Sequence, residues 1–151
     1  MKPVKVFCTS GSEEVAEAIF PHLKAMLANN LQMDGLANHT VKEFSNENIE
    51  VQIDDVRGCY AVVIHTQALP VSTHTIELFA LLQAMRDAHV SDIFLVFPYM
   101  PYSRSDRKNK PRISTMGQLF PQIISKNFDV RHVLLNDPHD SHLKHYFEPV
   151  A

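Results

Sequence analysis

Ser91-Asp92-Ile93-Phe94-Leu95-Val96-Phe97 runs directly into Pro98-Tyr99-Met100-Pro101-Tyr102-Ser103-Arg104-Ser105-Asp106-Arg107-Lys108-Asn109-Lys110-Pro111-Arg112, so an apolar segment gives way to a polar one at a single residue. A turn at Ser91-Asp92 followed by five apolar residues predicts a strand buried on both faces, the kind found in parallel sheets. The segment after it holds five cations, Arg104, Arg107, Lys108, Lys110 and Arg112, against the single Asp106. Ligands of open α/β sheets collect at the carboxyl ends of the strands. This order therefore sets concentrated positive charge where an anion would bind. The formal net charge of the whole chain is -3, so the cluster is local.

On both sides of this stretch short β-branched runs alternate with amphipathic ones, which predicts an α/β domain with a mainly parallel sheet of about five strands between helices. Tyr60–His65 reads as a buried strand. Residues 73–88 read as a helix whose Ile76, Leu78, Phe79, Leu82 and Met85 form an apolar face, with Glu77 among them. After the cations, Thr115 and Gln118 have the spacing of a capping box and open another helix, and His132–Leu135 reads as the last strand. At the amino end Val4–Cys8 is the first strand. Ser10 and Glu13 have capping spacing ahead of Val15, Ala18, Ile19, Leu23, Met26 and Leu27, a helix that Pro21 is expected to kink or split. Residues 29–39 read as an irregular connection. Thr40–Phe44 and Ile49–Ile53 flank Ser45-Asn46-Glu47-Asn48, which is turn chemistry and predicts an antiparallel hairpin.

A chain of 151 residues and 17.2 kDa, 45% hydrophobic and 21% charged, can bury a core and reads as a single domain over residues 1–151. No apolar run approaches the roughly 20 residues of a membrane span, and Met1-Lys2-Pro3-Val4-Lys5-Val6-Phe7 lacks the long apolar region of a secretory signal. A cytosolic location, with Cys8 and Cys59 as reduced, buried thiols, is the expectation. Gly11, Gly35, Gly58 and Gly117 are scattered, which excludes a P-loop or a Rossmann fingerprint.

A second chemical constellation follows the last strand. His139, His142 and His145 recur every third residue beside Asp137 and Asp140. Imidazole suits zinc and other transition metals, whereas carboxylate and water suit magnesium. On a helix the three imidazoles would fan over about 120°, too wide for one ion to take all three.

Pro-Tyr-x-Pro-Tyr after a strand, then Arg104-x-Asp106-Arg107-Lys108, Pro111-Arg112 and Ile113-Ser114 before a helix, resembles the ribose-phosphate pyrophosphokinases (phosphoribosyl pyrophosphate synthetases). The hairpin with Val56-Arg57-Gly58 is similar to that family's flap, which reaches a nucleotide base across a subunit boundary. Pro70-Val71-x5-Glu77-Leu78 has the family's arrangement, with Ser72-Thr73-His74 in place of its Asn-Asp-Asn. The resemblance spans the whole chain but only the amino-terminal half of such an enzyme. It implies a three-layer phosphoribosyltransferase-like fold and transfer of a diphosphoryl group from MgATP to ribose 5-phosphate. Arg104 and His139 are then the catalytic positions. Phe44, Asn46, Arg104, Ser105 and Asn109 fall in the nucleotide pocket, and Asp137 with His139 near magnesium. The sequence departs from the family at Asn48 and Asn109, which replace acidic residues, and at Ser105, which replaces Gln. It also implies a homo-oligomer and a second, carboxyl-terminal domain carrying the loop for ribose 5-phosphate. Here Asp54-Asp55 leads into Val-Arg-Gly and not into such a loop.

Three functional classes follow. One is the amino-terminal half of this diphosphokinase; another is a paralogue that has kept the fold for regulation or assembly and lost activity. The third is a single-stranded nucleic-acid binder stacking bases on Tyr99 and Tyr102. A binder of that kind carries a domain-wide basic excess, which this acidic chain lacks.

Overall fold

Six short strands and three helices account for the chain in the computed structural model, which describes residues 2–27, 33 and 35–147. In order they are β1 (Val4–Cys8), α1 (Glu13–Leu27), β2 (His39–Glu43), β3 (Ile49–Ile53), β4 (Tyr60–Ile64), α2 (Val71–Asp87), β5 (Asp92–Phe97), α3 (Met116–Asn127) and β6 (Val130–Leu135). A 3-10 segment, Ser141–Phe147, follows.

β1, β4, β5 and β6 form one parallel sheet in that order. Alternation along each strand sends side chains to opposite faces. Phe7, Ala61, Val63, Ile93, Leu95 and Phe97 point to one face and are buried by Leu78, Leu81, Leu82 and Met85 of α2 and Phe120 and Ile124 of α3. Val4, Val6, Cys8 and Ile64 point to the other, where α1 covers them with Ala16, Ile19, Phe20 and Leu23. On the free side of β1, Leu36 makes a single parallel bridge with Val6, and the Ala37 N–H donates to the Val6 carbonyl at 2.7 Å. The expected α/β architecture is thus present, with four strands in the sheet and this bridge at the fifth position. After β1 the chain first touches its free side at Leu36 and then returns to pair β4 on the other side, so β1 and β4 flank the point where the winding reverses, the place where doubly wound sheets open a crevice.

Among the described residues α1 is the one helix on the face of Val4, Val6 and Cys8, and it does not reach β6. Phe94, Val96, His132 and Leu134 therefore line a shallow apolar hollow of about 550 Å3, with Leu134 62% exposed. The hairpin β2–β3 pairs antiparallel, with Val41 opposite Val51, and packs through Val51 and Ile53 against the core beside α2.

Several local expectations need correction. α1 is one helix through Pro21, which sits on its exposed side and costs only one internal hydrogen bond there. It starts at Glu13, the Ala16 N–H donating to the Ser12 carbonyl at 2.9 Å, so no capping box forms at Ser10 and Glu13. In α2, Ile76 faces solvent at 54% exposure while Glu77 is buried at 1%, because Glu77 accepts the Ser10 N–H at 2.8 Å. Thr115 precedes α3 without capping its backbone; the Ser105 side chain from the cationic loop takes the Met116 N–H.

Candidate anion site at the carboxyl ends of the strands

The loop after β5 is held rigidly beneath its charges. Met100, Pro101 and Ser103 are buried. The Tyr102 ring packs 6.0 Å from Phe120, and Tyr102 has φ 60, a left-handed conformation unusual for a bulky residue. Ser105 donates its N–H to the Tyr102 carbonyl at 2.8 Å, and its own carbonyl accepts the Gly117 N–H at 2.8 Å. Gly117 permits this approach, since a Cβ there would lie 3.0 Å from the Tyr102 oxygen. Ser105 thus fastens the loop to the first turn of α3. Arg104 lies between two anchored residues with its side chain exposed, and no carboxylate pairs with it among the described residues. Lys108, Asn109, Lys110 and Arg112 are exposed on the same loop.

The loop after β6 is stitched to the first. The Asn136 N–H donates to the Phe97 carbonyl at 3.0 Å, and its side-chain amide to the Pro98 carbonyl at 3.4 Å. Asp137, at φ 47, and His139 are exposed. Asp140 accepts the His142 N–H at 2.9 Å and heads the 3-10 segment, whose Leu143 and Phe147 are fully buried, Phe147 lying 6.1 Å from Phe97. Across the gap Arg107 Nη2 donates to Asp140 Oδ2 at 2.6 Å, with Asp106 3.7 Å from Arg107 Nε. The hydrogen bond from His142 and then the guanidinium hold the Asp140 carboxyl below its ordinary range; the same guanidinium is pushed up by Asp140. Strained non-glycine residues gather at these two loops, with Arg112 at φ 61 a third, a pattern common at functional sites.

The structure therefore brings Arg104, Ser105, Asn109, Asp137 and His139 onto neighbouring loops at one end of the sheet. Among the described residues no group of three or more His, Cys, Asp or Glu side chains is placed to share a metal ion. Asp137 and His139 suit magnesium only as a partial set: its preference for oxygen leaves the remaining positions to water and to a ligand's phosphate oxygens.

Phe44 and Asn46 stand apart from that group. The hairpin turn is closed by Asn48, whose N–H donates to Asn46 Oδ1 at 3.2 Å, and the Phe44 ring, 39% exposed, lies beneath Lys42 Nζ at 4.8 Å. A hollow of about 500 Å3 separates Glu47, Asn48 and Ile49 from Ser72, Thr73 and Ile76 at the start of α2. No hydrogen bond or ion pair joins the hairpin turn to the Arg104 or His139 loops among the described residues.

The sequence reading missed a buried polar network at the reversal point. Thr66 N–H donates to Ser12 Oγ at 3.0 Å, Ser12 and Thr9 hydroxyls are 3.1 Å apart, and Thr9 Oγ1 lies 2.6 Å from His65 Nδ1. In one consistent orientation Ser12 donates to Thr9 and Thr9 donates to Nδ1; the His65 ring packs edge-to-face with Phe97 at 5.9 Å, and its Nε2 is buried without a hydrogen-bond partner among the described residues. Burial, reinforced by the nearby His74 and opposed by Glu77, pushes His65 down to about 4, so the imidazole is neutral. For Glu77, burial would raise the pKa, but hydrogen bonds from His39 and the Ser10 N–H outweigh it and hold the carboxyl below its usual range. Burial, with Glu13 and Glu77 nearby, pushes Cys8 up to about 11, the state of an inert thiol. The available signal was positional: Thr9-Ser10-x-Ser12 and His65-Thr66 follow strands that flank the reversal.

These features define a doubly wound α/β domain whose candidate site is a cationic loop and a histidine loop locked side by side. The model of the N-terminal domain of ribose phosphate pyrophosphokinase matches residues 4–127, and the chain belongs to that family. It is 32% identical over 146 residues to the ribose-phosphate pyrophosphokinase of Agrobacterium fabrum (strain C58) and 28% identical to that of Corynebacterium ammoniagenes. It spans 96% of itself but only 44% and 43% of those relatives. The crystal structure of phosphoribosylpyrophosphate synthetase from Mycobacterium smegmatis superposes with a TM-score of 0.85 over 97% of this chain and 46% of that one, at 22% identity, a likeness of fold.

Proposed function

We propose that this domain supplies the nucleotide-phosphate half of a ribose-phosphate diphosphokinase, which transfers a diphosphoryl group from MgATP to the anomeric hydroxyl of ribose 5-phosphate for nucleotide biosynthesis. The observation that carries the reading is Arg104, exposed and without a carboxylate partner among the described residues, on a clamped loop beside the His139 loop. Phosphoryl transfer demands little covalent help from a protein; it depends on holding the reacting oxygens in line amid fixed positive charge. A guanidinium on an immobile backbone provides two parallel hydrogen bonds to phosphate oxygens. Ser105 contributes by fixing the Arg104 backbone, and Asn109 extends the same polar surface. His139 stands on the adjoining loop, facing the phosphates as a donor. Magnesium, when bound with Asp137 and His139, would neutralise phosphate charge. Phe44 and Asn46, with no hydrogen bond or ion pair to these residues among those described, serve a neighbouring copy's base pocket in a homo-oligomer, and the open sheet face over β5 and β6 offers further protein a place to pack.

The replacements Asn48, Ser105 and Asn109 favour a second reading, a paralogue retained for regulation or assembly. Nucleic-acid binding is disfavoured, because the Tyr102 ring lies on Phe120 instead of standing free to stack.

The test is titration of the purified chain with MgATP, followed by incubation with MgATP and ribose 5-phosphate while AMP is measured. Binding should occur, and Arg104→Ala should weaken it by about ten- to a hundredfold, the scale of a charged hydrogen bond. AMP release by these 151 residues should stay at background, because no loop here resembles one that fixes ribose 5-phosphate. Steady AMP formation abolished by Arg104→Ala would mean that the sugar site lies within this domain. Absence of MgATP binding would favour the assembly paralogue.

A further inference from the structure

Five cations follow β5 in sequence, but they are not equivalent in space. Arg107 is flanked by two carboxylates, Asp140 at 2.6 Å and Asp106 at 3.7 Å, whose side chains are only 16% and 10% exposed. Its charge is therefore offset on the protein itself. Asp140 sits on the rigid side of the gap: it receives the His142 N–H, and the segment it heads is pinned by Leu143 and Phe147 in the core. Arg107 sits on the exposed side, beyond the last anchor at Ser105 and at the head of an exposed run, residues 107–114. A rigid acceptor and a donor at the start of a long exposed segment make a tether, and the residue before Asp140 is His139.

We propose that Arg107 and Asp140 form a latch that sets the cationic loop at a fixed distance from the His139 loop, Arg107 acting as a positioning residue and not as a phosphate ligand. The proposal rests on the anion-site reading above and assigns roles within it: Arg104, Lys108, Lys110 and Arg112 remain to face the anion.

The latch makes a prediction opposite in sign to simple electrostatics. Asp140→Asn removes a negative charge beside a cationic site, and by charge alone MgATP should bind more tightly. If Asp140 positions the loop, binding weakens instead, by up to about fivefold, the population shift that losing one exposed ion pair supports. Arg107→Gln should weaken binding to a similar degree, and the double variant should be no worse than either single one, as expected when two residues act as one unit. Exchanging the pair, Arg107→Asp with Asp140→Arg, should restore much of the affinity.

Titrations of MgATP at fixed ionic strength on the 151-residue chain provide the first readout. The second is amide hydrogen exchange without any ligand, where Asp140→Asn should lower protection between Ser105 and Gly117. Tighter binding by Asp140→Asn, additive losses, or unchanged exchange would each overturn the latch. Should the parent chain bind no MgATP, the phosphate reading fails separately, and the exchange experiment still decides whether the latch exists.

Discussion

Acidification should expose the cost of the neutral imidazole buried between β4 and Phe97. His65 is 1% exposed and its pKa lies near 4, against about 6.5 for an unperturbed imidazole. Between those values the unfolded chain carries a proton on His65 that the folded chain refuses, so the unfolded state binds more protons and stability must fall as pH falls. The contribution is fully present above about pH 6.5, is lost progressively toward pH 4, and levels off below. A drop of roughly 2.5 units at about 1.4 kcal/mol each predicts a loss of about 3 kcal/mol from His65 between pH 7 and pH 4. Glu77 is shifted in the same direction, a carboxyl held low, so its contribution is also lost as pH falls, beginning at the acid end of this window; it is common to the two proteins compared below and cancels between them. Urea unfolding at half-unit steps from pH 7.5 to 4 is the assay; with about 1.5 kcal/mol per molar urea, the midpoint should fall by about 2 M more in the parent than in His65→Gln. The glutamine keeps an acceptor for the Thr9 hydroxyl but cannot titrate. Parallel curves for the two proteins across this range would refute the assignment, and would mean that the ring can charge in place.

Two further predictions concern the scaffold of the site. Glu77→Ala strands the part-buried Ser10 N–H and should cost about 1 to 2 kcal/mol, whereas Glu77→Gln retains an acceptor and should cost less; equal losses in denaturant midpoint would show that charge, and not hydrogen bonding, is what matters there. Gly117→Ala should gain up to about 1 kcal/mol of helix propensity yet be net destabilised, because its Cβ would press on the Tyr102 carbonyl; a melting temperature at or above the parent's would show that the loop yields.

The sequence by itself determined the alternation of strands and helices, because apolar periodicity is a local property of neighbouring residues. Ile93–Phe97 announced a parallel-type strand, although only the Ile93, Leu95 and Phe97 face is buried and the Phe94 and Val96 face is part-open. The hairpin announced itself by its turn, and the motif around Arg104 carried the family resemblance. Local rules also placed the cations and His139 after successive core strands, which puts them at one end of a parallel sheet. What they could not supply were partners separated by dozens of residues. Ile76 and Glu77 fit a helix in either orientation, and the Ser10 N–H, 67 residues away, together with His39 turned the carboxylate inward. Ser10 had the local pattern of a cap, but the helix began three residues later, at Glu13, while the Ser12 hydroxyl took the Thr66 N–H 54 residues on. His65 read as the end of a strand until Thr9 and Phe97 enclosed it. The charge count after β5 was likewise incomplete: Asp140, 33 residues further along, pairs with one of the five cations, Arg107, while no carboxylate among the described residues pairs with Arg104. Burial and pairing of polar groups are set by which strands become neighbours, and that is a property of the folded sheet rather than of any window of sequence.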